Sequence, residues 1–313
     1  MKKKIIITWG AWFIGSNFLN KYVPLFPDID FVNLDALTYA WKIENIHVQN
    51  LPNYFFEKCD IRNKDSLIQI YEKYAPTDII HFAAESHVDN SIANPIIFTE
   101  TNIIWTQNLL DCHIRFWLNR FHHISTDEVY WDLWKEWLFT EESQINPSSP
   151  YSASKAGSDL IVKAYGRTFW LDYVITRCSN NYGPNQDREK LIPHFIDLLK
   201  NDKPVTLYGD GSNIRDWLYV EDHCDAIWEV FQSAKNSSIY NIWGNNEYTN
   251  LEITKIILKE MGKWEEYITF VEDRKWHDKR YAIDARKIEC DLHWLPKIRF
   301  EDGIKNTIQF YLQ

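Results

Sequence analysis

Short apolar runs alternate with stretches of helical spacing through residues 1–177, and this alternation restricts the fold more than any other feature. The run Asp78–Ala84 is continuous and apolar, as expected of a strand buried on both faces of a parallel sheet. Further strands are predicted at Ile5–Thr8, at Phe31–Asp35, before Asp60, before Thr126 and at Tyr173–Arg177, with helices starting near Ser16, Ser66, Pro95 and Tyr151. Such alternation predicts right-handed crossovers, and therefore an α/β fold with a doubly wound parallel sheet.

The rhythm changes after Arg177. Residues 179–185 form a polar loop, after which amphipathic helices alternate with short strands, one of them at Ile239–Ile242. We therefore predict a first domain at residues 1–177, which also receives parts of 204–235. A smaller C-terminal α/β lobe at 178–313 is predicted to bind the substrate and to interlock with the first domain.

The charge balance and the cysteines argue against several classes of function. The chain has 34 Lys and Arg against 44 Asp and Glu, and the net charge of −10 disfavours a nucleic-acid partner or an anionic membrane surface. The five cysteines are scattered and have no CxxC spacing, which indicates reduced thiols in a cytoplasmic protein and no metal site. No apolar run approaches the length of a membrane span.

The N-terminal segment has the layout of a Rossmann-type dinucleotide site. A strand ending at Thr8 leads into a turn that contains Gly10 and Gly15, a helix follows, and Asp35 ends the next strand. In this layout the helix N-terminus binds the pyrophosphate and the acid binds the ribose hydroxyls. A carboxylate at position 35 favours NAD over NADP, because it would repel a 2′-phosphate.

The same turn contains two residues that do not suit it. Trp9 and Trp12 stand where the tight turn and the close approach of pyrophosphate require glycine. An indole at position 12 would occupy the place of the phosphate. Taken literally, the sequence predicts weak or absent NAD binding.

A second cluster lies between Phe121 and Lys155. Thr126, Asp127 and Glu128 follow a strand at the edge where open α/β sheets bind ligands, and Tyr151 and Lys155 share one face of a helix. An ammonium beside a phenol favours the phenolate, so Tyr151 is a candidate base. Taken singly, each residue also fits turn chemistry or a surface helix pair. The combination is much less easily explained by structure alone.

These residues resemble the extended short-chain dehydrogenase/reductase family, and within it the dehydratases of nucleotide-activated sugars. The Thr126–Glu128 triplet distinguishes these dehydratases from sugar-nucleotide epimerases of the same fold, which keep the Tyr and Lys but lack the acidic pair. The similarity is nearly end to end and rests on Ala83–Asp89, Ser125–Tyr130, Tyr151–Lys155, Arg177–Pro184, Glu189–Pro193, Tyr208–Gly211, Arg215–Val220 and Asp284–Ala285.

The resemblance implies dehydration of dTDP-glucose to its 4-keto-6-deoxy form, for deoxysugar synthesis. Tyr151, beside Lys155, would take the proton of the sugar 4-hydroxyl while NAD takes the C4 hydride, and Thr126 would hydrogen-bond the 4-oxygen. Glu128 would then remove the C5 proton, and Asp127 would protonate the departing 6-hydroxyl. Two adjacent carboxylates suit this division of labour, because like charges at short range push their pKa values apart.

The resemblance also implies two sets of binding residues and a homodimer. With Gly10 and Gly15 of the turn, NAD would be lined by Phe13, Ile14, Asp35, Asp60, Ile61, Ala83, Ala84, Ser86, Thr101, Tyr151, Lys155 and Asn181. The nucleotide sugar would be held by His87, Thr126, Asn180, Lys190, Leu191, Arg215, Asn246, Arg274 and His277. Asp35 and Arg215 also fit ordinary salt bridges, and His87 also fits a buried histidine. Dimerisation is implied through Pro95–Phe116 and Tyr151–Phe169.

Tryptophan is abnormally frequent and glycine abnormally rare, with 15 and 10 residues respectively. Trp217 and Trp294 match tryptophans of the family that this chain resembles. Many of the others fall where that family has glycine, namely Trp9, Trp12, Trp41, Trp105, Trp117, Trp131, Trp134, Trp137, Trp170, Trp243 and Trp276. Some bacteria read the codon UGA as glycine, whereas another common code reads it as tryptophan. Our hypothesis is that the natural chain has glycine at most of these positions.

Three alternatives stay open at this stage. A nucleotide-sugar 4-epimerase and a dehydratase of another nucleotide sugar would use the same fold and cofactor. A degenerate chain that binds a nucleotide sugar without turnover is the alternative if Trp9 and Trp12 are real.

Overall fold

A seven-stranded sheet is the main element of the fold. The computed structural model describes residues 2–37, 43–132, 137–273 and 278–313. The strands in these ranges are β1 (Lys3–Thr8), β2 (Ile29–Asp35), β3 (Tyr54–Lys58), β4 (Asp78–His81), β5 (Arg120–Thr126), β6 (Asp172–Cys178), β7 (Asn180–Tyr182), β8 (Val205–Tyr208), β9 (Ile214–Tyr219), β10 (Ser238–Ile242), β11 (Glu247–Thr249) and β12 (Ile268–Val271). The main sheet has the order β3-β2-β1-β4-β5-β6-β10, and all its neighbours pair in parallel. The predicted doubly wound α/β fold is confirmed.

Helices cover both faces of this sheet. Those that do so are among the α-helices of the described residues, which are α1 (Phe13–Leu25), α2 (Lys64–Tyr74), α3 (Val88–Ala93), α4 (Pro95–Thr99), α5 (Trp105–Arg115), α6 (Pro150–Phe169), α7 (Leu191–Lys200), α8 (Val220–Ser233), α9 (Asn250–Glu260), α10 (Arg286–Leu292) and α11 (Phe300–Leu312). A π-helical turn, Glu100–Ile104, joins α4 to α5, so the long helical segment predicted from Pro95 is confirmed.

Alternate side chains of the strands build two separate cores. Ile6 and Ile79 pack on one face with residues of α2, α5 and α6, such as Leu67. Ile5 and Ile80 pack on the other face with residues of α1 and α8. Because the central strands are buried on both faces, their sequences are continuously apolar rather than alternating.

The second half of the chain builds a smaller layer with its own core. Helices α7, α9 and α11 pack around a three-stranded sheet, β11-β9-β7, and a two-stranded sheet, β12-β8. The strand that the sequence placed in this lobe, β10, instead pairs with β6 at the edge of the main sheet, and α8 packs against α1. Burial on β6 explains this placement, because Ile239, Tyr240 and Ile242 are all buried there. The boundary at residue 177 stays a prediction.

Among the described residues, no helix combines the length and apolar character that crossing a membrane would require.

Candidate active site

Four central strands end side by side, and a cleft opens just beyond them. Register pairs Thr8 with His81, His81 with His123 and Thr126 with Cys178, so β1, β4, β5 and β6 end at the same edge of the sheet, with β5 and β6 extending three residues further. Open α/β sheets bind their ligands at this edge. Of the residues predicted for the site, those that line the cleft are Phe13, Ile14, Gly15, Ala84, Ser86, Thr126, Asp127, Glu128, Tyr151, Lys155, Asn180, Asn181 and Lys190.

The acidic pair is held in a single turn of 3-10 helix, Asp127–Val129, at the end of β5. The Thr126 hydroxyl caps this turn by accepting a hydrogen bond from the Glu128 amide at 3.3 Å. Asp127 is buried, with 3% of its surface exposed. Glu128 accepts a hydrogen bond from the Ser152 hydroxyl at 3.3 Å, which ties the turn to α6. Adjacent carboxylates are thus fixed at the floor of the cleft.

The two carboxyl groups differ in their electrostatic surroundings. Burial, with the nearby charges of Glu128 and Asp216, raises the pKa of Asp127 well above its ordinary value. Burial also raises the pKa of Glu128, but the positive charges of Arg215 and Lys190 oppose this effect. The environment therefore favours a protonated Asp127 beside a Glu128 that ionises more readily.

Tyr151 and Lys155 lie in the first turns of α6, which begins after the capping hydroxyl of Ser149. Burial raises the pKa of the Tyr151 phenol well above its ordinary value, and hydrogen bonding to Thr126 opposes this only in part. The Lys155 ammonium donates a hydrogen bond to the Ile124 carbonyl at 2.7 Å, and burial lowers its pKa to about 8. The raised pKa of Tyr151 favours the neutral phenol. Its predicted activation by Lys155 stays a prediction.

The dinucleotide end of the cleft has the expected backbone arrangement. The Gly10 amide donates to the Asn33 side chain at 3.0 Å, and the Ala11 amide donates to the Asp35 carboxylate at 3.2 Å. A Cβ atom on Gly15 would lie 2.5 Å from the Trp9 carbonyl oxygen, so only glycine fits there. Asp35 ends β2, and burial raises the pKa of its carboxyl group. These residues fit a dinucleotide cofactor of the NAD type.

Two indoles lie in the same part of the cleft. The rings of Trp9 and Trp12 meet edge to face with centroids 5.4 Å apart, and both line the cleft beside the N-terminus of α1. The Trp12 Nε1 atom is buried and has no hydrogen-bond partner within the described part of the chain. A helix N-terminus in this fold is the place that holds pyrophosphate. Positions 9 and 12 are therefore where the chain departs from a cofactor-binding loop.

Some predicted cofactor residues lie near the cleft without lining it. Asp60 pairs with Arg62 just after β3, and Ile61 is buried next to it. The Ala83 amide donates to the Thr8 hydroxyl at 3.0 Å, and Thr101 is buried in the π-helical turn. Their role at the cofactor stays a prediction.

The predicted substrate residues are less uniformly placed. His87 caps α3, Leu191 begins α7, and the Lys190 ammonium donates to the Ser86 carbonyl at 3.2 Å. The Arg215 guanidinium lies over the Tyr281 ring at 4.8 Å and donates to the carbonyl groups of residues 214 and 278. The side chain of Asn246 donates to the Gly244 and Trp217 carbonyls and so stabilises its own loop. Arg274 and His277 lie outside the described residues.

Several residues of the cleft were not predicted. Ser152 reaches Glu128, and Tyr281 lies close enough for the Glu128 charge to help raise its pKa. Ser125, Cys178 and Ser179 line the cleft at the ends of β5 and β6. Ser125, Cys178 and Ser179 could have been predicted, because they lie at strand ends inside motifs that the sequence analysis quotes. Tyr281 lies in a loop of the second half, and no sequence motif marks it as a residue of the site. Within the four described ranges, no group of three or more His, Cys, Asp or Glu residues could hold a metal ion.

The parallel sheet, the glycine turn with its acid, and the Tyr/Lys pair on α6 define a Rossmann-type protein of the short-chain dehydrogenase/reductase class. The chain belongs to the GDP-mannose 4,6 dehydratase family, which matches residues 6–307. It is 46% identical to dTDP-glucose 4,6-dehydratase from Neisseria gonorrhoeae, covering 99% of this chain and 96% of that protein.

Solved structures give the same result. DesIV, a dTDP-glucose 4,6-dehydratase from Streptomyces venezuelae solved with NAD bound, superposes with a TM-score of 0.95 at 43% identity, covering 98% of this chain and 96% of that one. UDP-glucose 4-epimerase from Thermotoga maritima, solved with UDP-glucose, has a TM-score of 0.92 at 26% identity, covering 98% of each chain. The fold is thus shared by dehydratases and epimerases, and the site has to discriminate between them.

Proposed function

We propose that this protein is an NAD-dependent dehydratase that converts dTDP-glucose to dTDP-4-keto-6-deoxyglucose for deoxysugar synthesis. The relatives with 46% and 43% identity carry this activity in their names, and the match is nearly end to end. The observation that carries the proposal is the pair of adjacent carboxyl groups, buried Asp127 and partly buried Glu128, in one cleft with Tyr151. A simple oxidoreductase or an epimerase needs only the tyrosine and the lysine, whereas elimination also needs an acid and a base.

The acid and base roles follow from the surroundings of the two carboxyl groups. Because the pKa of Asp127 is raised well above its ordinary value, Asp127 holds a proton at neutral pH and can give it to the departing 6-hydroxyl. Glu128 faces the positive charges of Arg215 and Lys190, which favour its ionised form, so it is the base that removes the C5 proton. The expulsion of water thus has a proton donor and a proton acceptor at adjacent positions.

Tyr151 and Thr126 act at the sugar 4-oxygen. NAD, when bound, supplies the acceptor for the C4 hydride, which is later returned to C6, and a positive charge near the phenol. That charge and the Lys155 ammonium favour the phenolate, so Tyr151 can take the 4-hydroxyl proton. The Thr126 hydroxyl, whose influence on the phenol opposes the rise in its pKa, is placed to hold the same oxygen. Oxidation at C4 acidifies the C5 proton that Glu128 removes.

The binding assignments are part of the same proposal. Gly10, Gly15 and Asp35 hold the adenosine half of NAD, and the remaining NAD residues predicted from the sequence follow the cleft toward Tyr151. Lys190 and Arg215 bring positive charge to the nucleotide-sugar side, where Arg215 suits a diphosphate. The side chain of Asn246 would have to leave its contacts with Gly244 and Trp217 to reach a ligand.

The competing function is that of a 4-epimerase, because a solved epimerase has the same fold. Glu128→Gln separates the two, with Ser152→Ala as a matched control that keeps the carboxylate but removes its hydrogen bond from Ser152, together with the contact between the Ser152 and Ser149 hydroxyls. Protein with Trp9→Gly and Trp12→Gly, beside the unchanged chain, is incubated with dTDP-glucose and NAD, and products are read by NMR and mass spectrometry. We expect a 4-keto-6-deoxy product, which Glu128→Gln loses while exchange of the C4 hydrogen continues.

Each other outcome has a definite meaning. A galactose epimer would establish the epimerase. Absence of turnover in a protein that binds both ligands by calorimetry would establish an inactive binding protein. Full dehydratase activity in Glu128→Gln would contradict the assignment of Glu128 as the base.

The predicted homodimer and cytoplasmic location also remain proposals. Ile96, Ile104 and Leu160, on α4, the π-helical turn and α6, are 67%, 49% and 53% exposed, which suits a covered helical face. Light scattering tests this: Ile104→Glu with Leu160→Glu should give monomers, and a monomeric parent would refute the dimer. The five cysteines form no disulfide, which agrees with a reducing compartment.

A further inference from the structure

Among the described residues, three tryptophans have a backbone conformation that large side chains avoid. Trp9, Trp117 and Trp170 have φ angles of 54°, 53° and 59°, in the left-handed region. This region is strained for an L-residue with a Cβ atom, whereas glycine enters it freely. Asparagine, aspartate and histidine are the usual exceptions, because their short polar side chains bond locally. An indole has no such compensation.

Trp117 occupies a position that is built for glycine. It follows α5, and the amides of Trp117 and Leu118 donate to the carbonyls of Ile114 and His113 at 3.3 and 3.2 Å. This double hydrogen bond is the Schellman motif, whose left-handed residue is usually glycine. Helix α9 ends with the same pair of bonds, and there the left-handed residue is Gly262, with φ of 66°.

Helix α7 provides a second comparison inside the chain. The amides of Asp202 and Lys203 repeat the two bonds, and the left-handed residue is an aspartate with φ of 54°. The motif thus ends three helices, with glycine, aspartate and tryptophan at the equivalent position. Only the tryptophan falls outside the residues that the motif ordinarily accepts.

The side chains of these helix-end tryptophans gain nothing from their positions. Trp117 is 86% exposed, and Trp170, which ends α6 in the left-handed conformation, is 89% exposed. Neither buries the apolar surface that would offset the backbone strain. Trp217 and Trp294, by contrast, are 5% and 6% exposed, belong to two packed cores, and have no left-handed backbone.

Trp9 and Trp12 add a functional conflict to the conformational one. Trp9 is left-handed in the turn after β1, and Trp12 precedes α1 with its buried Nε1 unpaired among the described residues. Both rings line the cleft at the end where this fold holds pyrophosphate. Glycine at both positions would remove the two indoles from the cleft and leave the backbone amides of the turn accessible.

We infer that positions 9, 12, 117 and 170 are glycine positions, and that the natural chain carries glycine there because its cell reads UGA as glycine. If the gene is translated with a code that reads UGA as tryptophan, the sequence shows tryptophan at each of these glycine codons. Tryptophans encoded by UGG, such as Trp217 and Trp294, are the same under either code. The composition agrees, since 10 glycines in 313 residues is about 3%, against roughly 7% in ordinary proteins. The inference concerns residue identity and does not depend on the proposed reaction.

The gene and the natural protein decide the inference directly. We expect UGA at codons 9, 12, 117 and 170 and UGG at codons 217 and 294. Tandem mass spectrometry of the protein from its source cells should report glycine at the first four positions and tryptophan at the last two. UGG at the first four, or peptides with tryptophan there, would overturn the inference.

Purified variants test the physical reasoning separately. Trp117→Gly and Trp170→Gly should each raise the Tm by about 1–2 °C, because each relieves the strain of a Cβ-bearing residue in the left-handed region. The matched control Trp217→Gly should lower the Tm, since it empties a packed core. A Tm lowered by the first two variants as well would contradict the glycine assignment.

Cofactor binding completes the test. Trp9→Gly with Trp12→Gly should bind NAD at least tenfold more tightly than the unchanged chain in calorimetry, whatever its turnover with dTDP-glucose. Equal or weaker binding in a folded variant would show that the indoles do not obstruct the cleft. A variant that binds NAD more tightly but forms no product would contradict the proposed dehydratase while leaving the glycine inference intact.

Discussion

Lys155→Met should make the folded protein more stable while it abolishes the chemistry. Burial lowers the pKa of Lys155 from 10.5 to about 8, and at about 1.4 kcal/mol per tenfold change in proton binding this is about 3 kcal/mol. Below about pH 8 the folded chain bears this cost of a buried charge, which methionine removes. Loss of the hydrogen bond to the Ile124 carbonyl destabilises the variant by about 1 kcal/mol, so its free energy of unfolding should exceed that of the parent by about 2 kcal/mol at pH 7.

The sign of the pH dependence makes this prediction sharp. Between about pH 8 and 10.5 the unfolded parent binds more protons than the folded one, so the parent's free energy of unfolding rises with pH relative to that of the variant. Urea denaturation from pH 7 to about pH 10 should therefore show the advantage of Lys155→Met fading to about zero. Lys163→Met, which removes a partly exposed lysine from the same helix, is the matched control. A variant less stable than the parent at pH 7, or a pH-independent difference, would refute the reasoning.

Two further substitutions test the proposed general acid, Asp127, and the buried ion pair between Arg177 and Asp159. Asp127→Asn should lower dehydration by about 10²–10⁴-fold while single-turnover NADH formation at C4 survives. In urea denaturation, the free energy of unfolding of Asp127→Asn should rise relative to that of the parent as pH increases above 3.8. The reason is that the raised pKa makes the folded parent keep a proton that its unfolded chain releases. A difference that shrinks as pH increases would contradict this. Arg177→Met should cost about 3–5 kcal/mol of unfolding free energy, because it leaves the buried Asp159 carboxylate, 2.9 Å from the Arg177 Nε, unpaired. Arg177→Met with Asp159→Leu should recover most of that loss, and a double variant as unstable as the single one would refute the ion-pair explanation.

The sheet and its ligand-binding edge were predictable because both depend on local pattern. The run of Ile79 and Ile80 is apolar on both faces, so it could belong only to a strand covered by helices on each side. Once the central strands are parallel, the residues that follow Thr8, His81, Thr126 and Cys178 must meet at one edge. The positions of the acidic pair and of the glycine turn follow from that alone.

The second half was less predictable, because its contacts join segments distant in sequence. Residues Ser238–Ile242 fit an edge strand of either sheet, and only packing against β6 assigns them to the main one. Tyr281 reaches the surroundings of Glu128 from the other half of the chain, and no sequence spacing predicts this contact. Asn246 has a suitable side chain, but the two carbonyls that it binds could not be foreseen from its neighbours.

The buried charges also bear on whether the chain is a working enzyme or a degenerate one. Burial raises the pKa values of Asp127 and Glu128 and lowers that of Lys155, so all three destabilise the fold in their ionised forms. Substitutions that remove such charges stabilise a protein, and once function no longer opposes them nothing prevents their accumulation. A chain that had lost its cofactor would be free to replace these three residues, yet all three remain, positioned around one cleft. The same chain has indoles in the cofactor turn, and both facts are reconciled only if those indoles are glycines in the natural protein.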